Sequence, residues 1–176
     1  MSTERPILEL GNPGLRQIAR PVETVENAAL QALADELLAI MRAANGVGIA
    51  APQLGESWRL LVVASRPNLR YPQAPKMPPT VMINPRLVSH SDDMVKGWEG
   101  CLSVPGLRGK VPRYREIEVE YCDRKGHLQR QVWRDFVARI FQHEYDHLEG
   151  KIFLDRVEST ADLITEKEYF VQLGLI

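Results

Sequence analysis

The chain has 176 residues, 44% hydrophobic and 26% charged, with 12 glycines and 12 prolines; this predicts one compact domain over 1–176 and excludes a collagen, a coiled coil and a disordered chain. Lysine plus arginine total 22 against 23 acidic residues, so the net charge of −1 offers no footprint for nucleic acid or an anionic membrane. Two cysteines, Cys101 and Cys122, are too few for a disulfide scaffold, which leaves two thiols and four histidines as the residues to explain.

The first thirty residues carry Glu4, Glu9, Glu23 and Glu26 and no apolar run of signal-peptide length. No later stretch reaches bilayer-spanning length, so a cytoplasmic protein is expected. From Asn27 onward, Leu30, Leu33, Leu37, Ile40 and Met41 recur at helical spacing, predicting an amphipathic helix to about Ala44, stopped by Asn45-Gly46. The glycine-rich turn GVGIAAPQLG follows, then a buried strand over Arg59–Ala64. Residues 66–79 hold five prolines without periodicity and read as a surface loop. Val81–Asn84 reads as a strand. Strict alternation over Glu116–Tyr121, the turn Asp123-Arg-Lys-Gly126 and the segment His127–Trp133 predict an antiparallel hairpin. Asp135 is expected to cap a helix that runs to about Glu149 and stops at Gly150, with a shorter helix after Ser159 or Thr160. Paired strands with a helix before and after them predict an α+β fold, not a doubly wound parallel sheet.

Within the second helix, Gln142-His-Glu-Tyr-Asp-His147 places His143 and His147 four residues apart, on one face and within reach of one metal ion. Glu144 follows the first histidine, where its carboxylate can take a proton from a water on that ion. Two histidines leave a catalytic metal one protein ligand short. The long metzincin pattern would put a third histidine where Phe153 stands, so the third ligand comes either from a downstream acid (Glu149, Asp155, Glu158) or from a distant thiol, Cys101 in Trp98-Glu-Gly-Cys-Leu-Ser103. Cys122 reads as a small core residue. Gly46, Gly48 and Ala51 match a loose dinucleotide fingerprint, but a helix precedes the turn and Pro52 follows it, the wrong context for a nucleotide.

Three separated segments, GVGIAAPQ (46–53), EGCLS (99–103) and QHEYDHLEG (142–150), together resemble the signature motifs of the peptide deformylases in their order and approximate spacing. The resemblance runs from before Gly11-Asn-Pro-Gly14 to about Asp155. It implies antiparallel sheets packed around the HExxH helix and hydrolysis of the formyl group from N-formylmethionyl polypeptides. It assigns the metal to Cys101, His143 and His147, with Fe(II) in the cell and Zn(II), Ni(II) or Co(II) accepted in purified protein. It makes Glu144 the general acid/base, and Gln53 with the Leu102 N–H the donors to the reacting carbonyl. Val47, Gly48 and Gly100 would pair with the peptide backbone, Arg108 would face the peptide, and Ile140 with Phe136 would line the methionine pocket. It also suggests that Glu99 pairs with Arg113.

Arg139 departs from the apolar residue some members place in that pocket, and the chain ends Leu173-Gly-Leu-Ile176 without the basic helix some members use at the ribosome; a transient ribosome contact stays open. Arg108, Lys110, Arg113 and Arg115 otherwise read as a solvated basic face, Asp146 as an ion-pairing residue off the ligand face, and His90 and His127 as surface residues. The alternatives are a general HExxH metallopeptidase or a non-catalytic formyl-peptide-binding homologue.

Overall fold

The computed structural model describes residues 5–176. In chain order the elements are α1 (Ala28–Ala43), β1 (Gly48–Ala50), β2 (Leu60–Ser65), β3 (Met77–His90), β4 (Met94–Cys101), β5 (Val104–Tyr114), β6 (Glu116–Cys122), β7 (Leu128–Arg134), α2 (Asp135–Leu148), β8 (Leu163–Thr165) and α3 (Glu166–Gln172). The strands form two antiparallel sheets, β1-β2-β3-β6-β7 and β4-β5-β8, so the architecture is α+β.

Helix α1 starts where Asn27 satisfies two orphan amides, its Oδ1 accepting from the N–H of Ala29 at 2.9 Å and of Leu30 at 3.3 Å. The stripe Leu30, Leu33, Leu37, Ile40 and Met41 is buried, and the helix ends as Asn45 takes a positive φ of 54°. Strand β2 is buried on both faces because each face has its own helix. Leu60 and Val62 join the α1 core, while Leu61 and Val63 join the core under α2 with Ile140, Phe141 and Leu148. This is why its sequence is a continuous apolar run instead of an alternating one.

Strand β3 extends well beyond the expected Val81–Asn84. It begins at Met77, so the proline-rich loop is shorter than expected, and it continues past Asn84 to His90. Asn84 sits at φ 50°, and its side chain bonds both backbone groups of Val22 at 2.8 Å, bending the strand without ending it. The β6–β7 hairpin forms about the expected turn, with Gly126 at φ 81° and Ile117, Val119 and Tyr121 buried.

The whole second sheet escapes a reading by periodicity. Pro105, Pro112 and four glycines interrupt β4 and β5, and such residues read as breakers. Nor do the basic residues of β5 and the position after it form one solvated face: Lys110 and Arg115 are exposed, but Arg108 and Arg113 are each 4% exposed. Asp135 is the first residue of α2, at φ 50°, and not its cap; the residue before it is Arg134 and offers no side-chain cap. Helix α2 ends before Gly150, where φ is 66° and a Cβ would lie 2.6 Å from the Arg16 carbonyl oxygen, so glycine is required on both counts. After Ser159 a single 3-10 turn leads into β8, and the last helix, α3, begins only at Glu166. Among the described residues, no helix is long and apolar enough to cross a membrane.

Candidate metal centre and its cleft

Helix α2 carries His143 and His147 one turn apart, with ring centroids 5.4 Å from each other. The end of β4 brings Cys101 to them, and the candidate ligand atoms of the three residues all lie within 4.8 Å of one another. Among the described residues no other such group of three occurs. Neither Glu149, Asp155 nor Glu158 joins it; Glu149 instead accepts from Arg59 at 2.7 Å. Cys101 Sγ lies 3.3 Å from His147 Nε2 and accepts from the Ser103 N–H at 3.4 Å and the Gln53 amide at 3.5 Å. Burial alone would push the Cys101 thiol up, but the adjoining His147 and His143 hold it well below the usual thiol range. A thiolate with two imidazoles is a soft-to-borderline donor set, which fits a divalent transition ion and not Mg or Ca.

Behind the ligands lies a buried network of charge. His143 Nδ1 is 2.9 Å from Glu99 Oε2, and Glu99 accepts both Arg113 Nε at 2.9 Å and Arg113 Nη2 at 3.0 Å. Arg113 Nη1 reaches Asp146 at 2.6 Å, and Asp146 also accepts from Arg156 at 2.7 Å. Burial would raise Glu99, but Arg113 and then His143 outweigh it and hold the carboxyl far below its ordinary value. Asp146 is depressed too: burial is offset by Arg156 and Arg113. Arg139 joins the same network. Its Nη1 donates to Glu99 at 2.9 Å and to the Val111 carbonyl at 2.7 Å, and its Nη2 donates to the Val95 carbonyl. The guanidinium lies against Gly97, where a Cβ would sit 2.9 Å from it. The charge of Arg139 is therefore spent on β4 and β5 and is not a free charge on the pocket rim.

Glu144 contrasts with these carboxylates: no arginine pairs with it, and the nearby His143 and His147 only partly offset its burial. Burial pushes it up to about 7, and among buried side chains its Oε2 and His147 Nδ1 have no hydrogen-bond partner. Gly48 makes room for it, since a Cβ there would lie 2.4 Å from Glu144 Oε1. Gln53 is held by the Ala50 N–H, which donates to its Oε1 at 2.9 Å and so turns its NH2 toward Cys101 and Ser103 Oγ at 3.1 Å. A cleft of about 180 Å³ opens in front. Val47, Gly48, Gln53, Gly100, Cys101, Leu102, Arg108, Ile140, His143 and Glu144 all line it, while His147 is wholly buried behind. Every expected site residue is thus at one place.

Arg70, Tyr71, Trp98 and Glu166 also line the cleft and escaped the sequence reading. Tyr71 sits in the proline-rich loop and Glu166 after the last motif, and neither segment carries a local signal. His90 and His127 are exposed, and half-buried Cys122 packs on the α1 core, as expected.

A thiol and an HExxH helix meeting behind a cleft, with a raised carboxyl at its wall, define the class of an HExxH metallohydrolase whose third ligand arrives on a separate sheet. The chain belongs to the polypeptide deformylase family, whose model matches residues 4–162. It is 63% identical to Peptide deformylase 2 of Nostoc sp. over 93% of this chain and 92% of that one. It is 45% identical to Peptide deformylase 2 of Ralstonia nicotianae over 88% and 87% of the two chains. Among solved structures, the Met-Ala-Ser-bound class I type b peptide deformylase of Acinetobacter baumannii superposes with a TM-score of 0.86 at 46% identity, covering 89% of this chain and all of that one. The Synechococcus elongatus peptide deformylase in complex with actinonin gives 0.80 at 34% identity, covering 100% and 90%. The activity is metal-dependent peptide deformylation, and neither the general peptidase nor the non-catalytic homologue is favoured.

Proposed function

We propose that Cys101, His143 and His147 hold one divalent ion, Fe(II) in the cell with Zn(II), Ni(II) and Co(II) as substitutes, and that the cleft in front takes the formylmethionyl end of a new polypeptide. The donor chemistry, the approach of His147 Nε2 to the Cys101 thiolate and the unpartnered buried Oε2 of Glu144 support this. The hydrogen bond to Glu99 commits His143 Nδ1 and leaves Nε2 as the ligand atom. Such an ion supplies Lewis acidity, making water nucleophilic near neutral pH.

The protein's own groups do the rest. The Gln53 amide, fixed by Ala50, and the Leu102 N–H donate to the carbonyl oxygen as negative charge builds there, each contributing roughly 3–4 kcal/mol. Glu144, poised about 7, takes a proton from the attacking water and passes it to the departing amine, which leaves poorly unless protonated. Formate and a free amino terminus result.

Substrate alignment follows from the sheet edge. Among the described residues β1 pairs only with β2, and the Val47 carbonyl is taken by the Ala64 N–H at 2.8 Å, so the alternation of an antiparallel ladder turns the backbone groups of Gly48 outward. A peptide entering between Val47-Gly48 and Gly100 extends that edge as an added strand. Ile140 and Phe136 line the methionine side, and Arg108 faces the peptide beyond it. The enzyme works as a single domain over 1–176 in the cytoplasm, its sheets arranged around the HExxH helix, with at most a transient contact at the ribosome.

The observation that carries this reading is the meeting of Gln53, Leu102, Glu144, Cys101 and His143 at one cleft, with His147 grouped with Cys101 and His143 behind it. Anaerobically purified protein should release one formate per formyl-Met-Ala-Ser and leave unformylated Met-Ala-Ser intact; no release at full metal content overturns it. Cys101→Ser should change metal content and Cys122→Ser should not, and equal effects would contradict the choice of thiol.

A further inference from the structure

Arg108 is a buried cation in the wall of the cleft, and its partners come from segments far away in the chain. Its Nη2 donates to Glu166 at 2.6 Å and its Nη1 to the Tyr71 hydroxyl at 2.9 Å. The rings of Tyr169 and Tyr71 stand 5.2 and 5.7 Å from the guanidinium carbon. The group lies against Gly100, where a Cβ would come within 2.7 Å of it, so the backbone beside Cys101 is shaped to admit it. Glu166 also pairs with Arg70 at 3.3 Å, and all three charged residues line the same cleft as Glu144. Glu166 opens α3 and lies beyond residue 162, where the match to the family model ends.

We propose that Glu166 is a specificity-determining residue that masks the cation of Arg108, so that the cleft does not select peptides by a nearby C-terminal carboxylate. An unpaired buried guanidinium in that wall would attract any anion within reach, since burial weakens its solvation and its screening. A newly made polypeptide carries its carboxylate far from its formylated end, so a cleft neutralised by Glu166 treats long chains alike. The proposal rests on the assignment of this cleft to the formyl-peptide.

The test compares kcat/KM for formyl-Met-Ala-Ser as the free acid and as the C-terminal amide. In the wild-type enzyme the acid-to-amide ratio should lie within about twofold of one at low salt. Glu166→Gln should raise it at least ~5-fold, chiefly through KM, with the gain fading as salt rises. R70Q/E166Q should keep most of that gain, since Arg108 remains unmasked; complete loss would move the charge to Arg70 and overturn the assignment. A salt-sensitive preference above ~5-fold for the acid in the wild type, or an unchanged ratio in a folded Glu166→Gln protein, overturns the masking role. Should Glu166→Gln fail to fold, the wild-type ratio alone decides. Turnover of the amide by the wild type separates this outcome from a failure of the deformylase reading itself.

Discussion

Two regions of this molecule are equally buried and built on opposite principles. Between α1 and the five-stranded sheet, Leu33, Leu37, Met41, Leu60 and Val62 pack with no charge among them. Behind the candidate metal site, Glu99, Arg113 and Asp146 are each 3–4% exposed and are held by ion pairs and hydrogen bonds. The apolar core is favourable side chain by side chain, at roughly 1.5–3 kcal/mol each. The charged one tolerates burial only while every partner is present, because each ion removed from water costs several kcal/mol. In return it fixes the tautomer of His143 and the approach of the Cys101 strand, which apolar packing cannot specify so sharply.

Glu144 marks the boundary between these regimes as a buried carboxylate that has been left unpaired. Glu144→Ala should lower turnover by about 10²–10⁴-fold while metal content holds, as read by formate release and metal analysis. Its melting temperature should not fall, since the alanine removes a desolvated, unsatisfied group; loss of metal together with activity would show that Glu144 ligates.

The sharpest break in the comparison is a matched pair of substitutions. Arg113→Met removes the cation shared by Glu99 and Asp146, leaving each with only its outer arginine, and should cost about 3–5 kcal/mol in urea unfolding, with metal lost as His143 is released from its fixed orientation. Leu37→Ala, wholly buried in the apolar core, should cost roughly 3 kcal/mol yet leave metal per folded chain and kcat unchanged. Equal metal loss in both variants would mean that the two regions are not separable.

The smallest effect lies at the edge of the charged region, where Asp155 pairs with Arg16 and accepts from the Ile152 N–H at 2.8 Å. Burial would raise Asp155, but Arg16 and that amide outweigh it and depress its pKa. A carboxyl depressed in the folded state contributes stability that is complete above about 3.8 and lost as pH falls through its folded value. Asp155→Asn keeps an acceptor for Ile152, so its deficit relative to wild type should be small at pH 6 and vanish in acid. A deficit that persists at the acid limit would assign the effect to packing instead of charge.

Much of this protein follows from its sequence taken alone. Helix α1, strand β2, the β6–β7 hairpin and the HExxH helix are visible because backbone geometry imposes a period on the residues that must be buried. The pair His143 and His147 with Glu144 follows from that same helical period, and the three motifs together name the family. Tertiary structure alone decided the rest: that Arg113 is a buried and Arg139 a half-buried anchor, and that Glu166 reaches the cleft; it also brings Cys101, and not Glu149, Asp155 or Glu158, beside the two histidines, as the motif resemblance implies. The reason is physical. Glycines and prolines erase the period of β4 and β5, and a charge is matched by whatever partner the fold brings within about 3 Å, at a sequence distance no local pattern records.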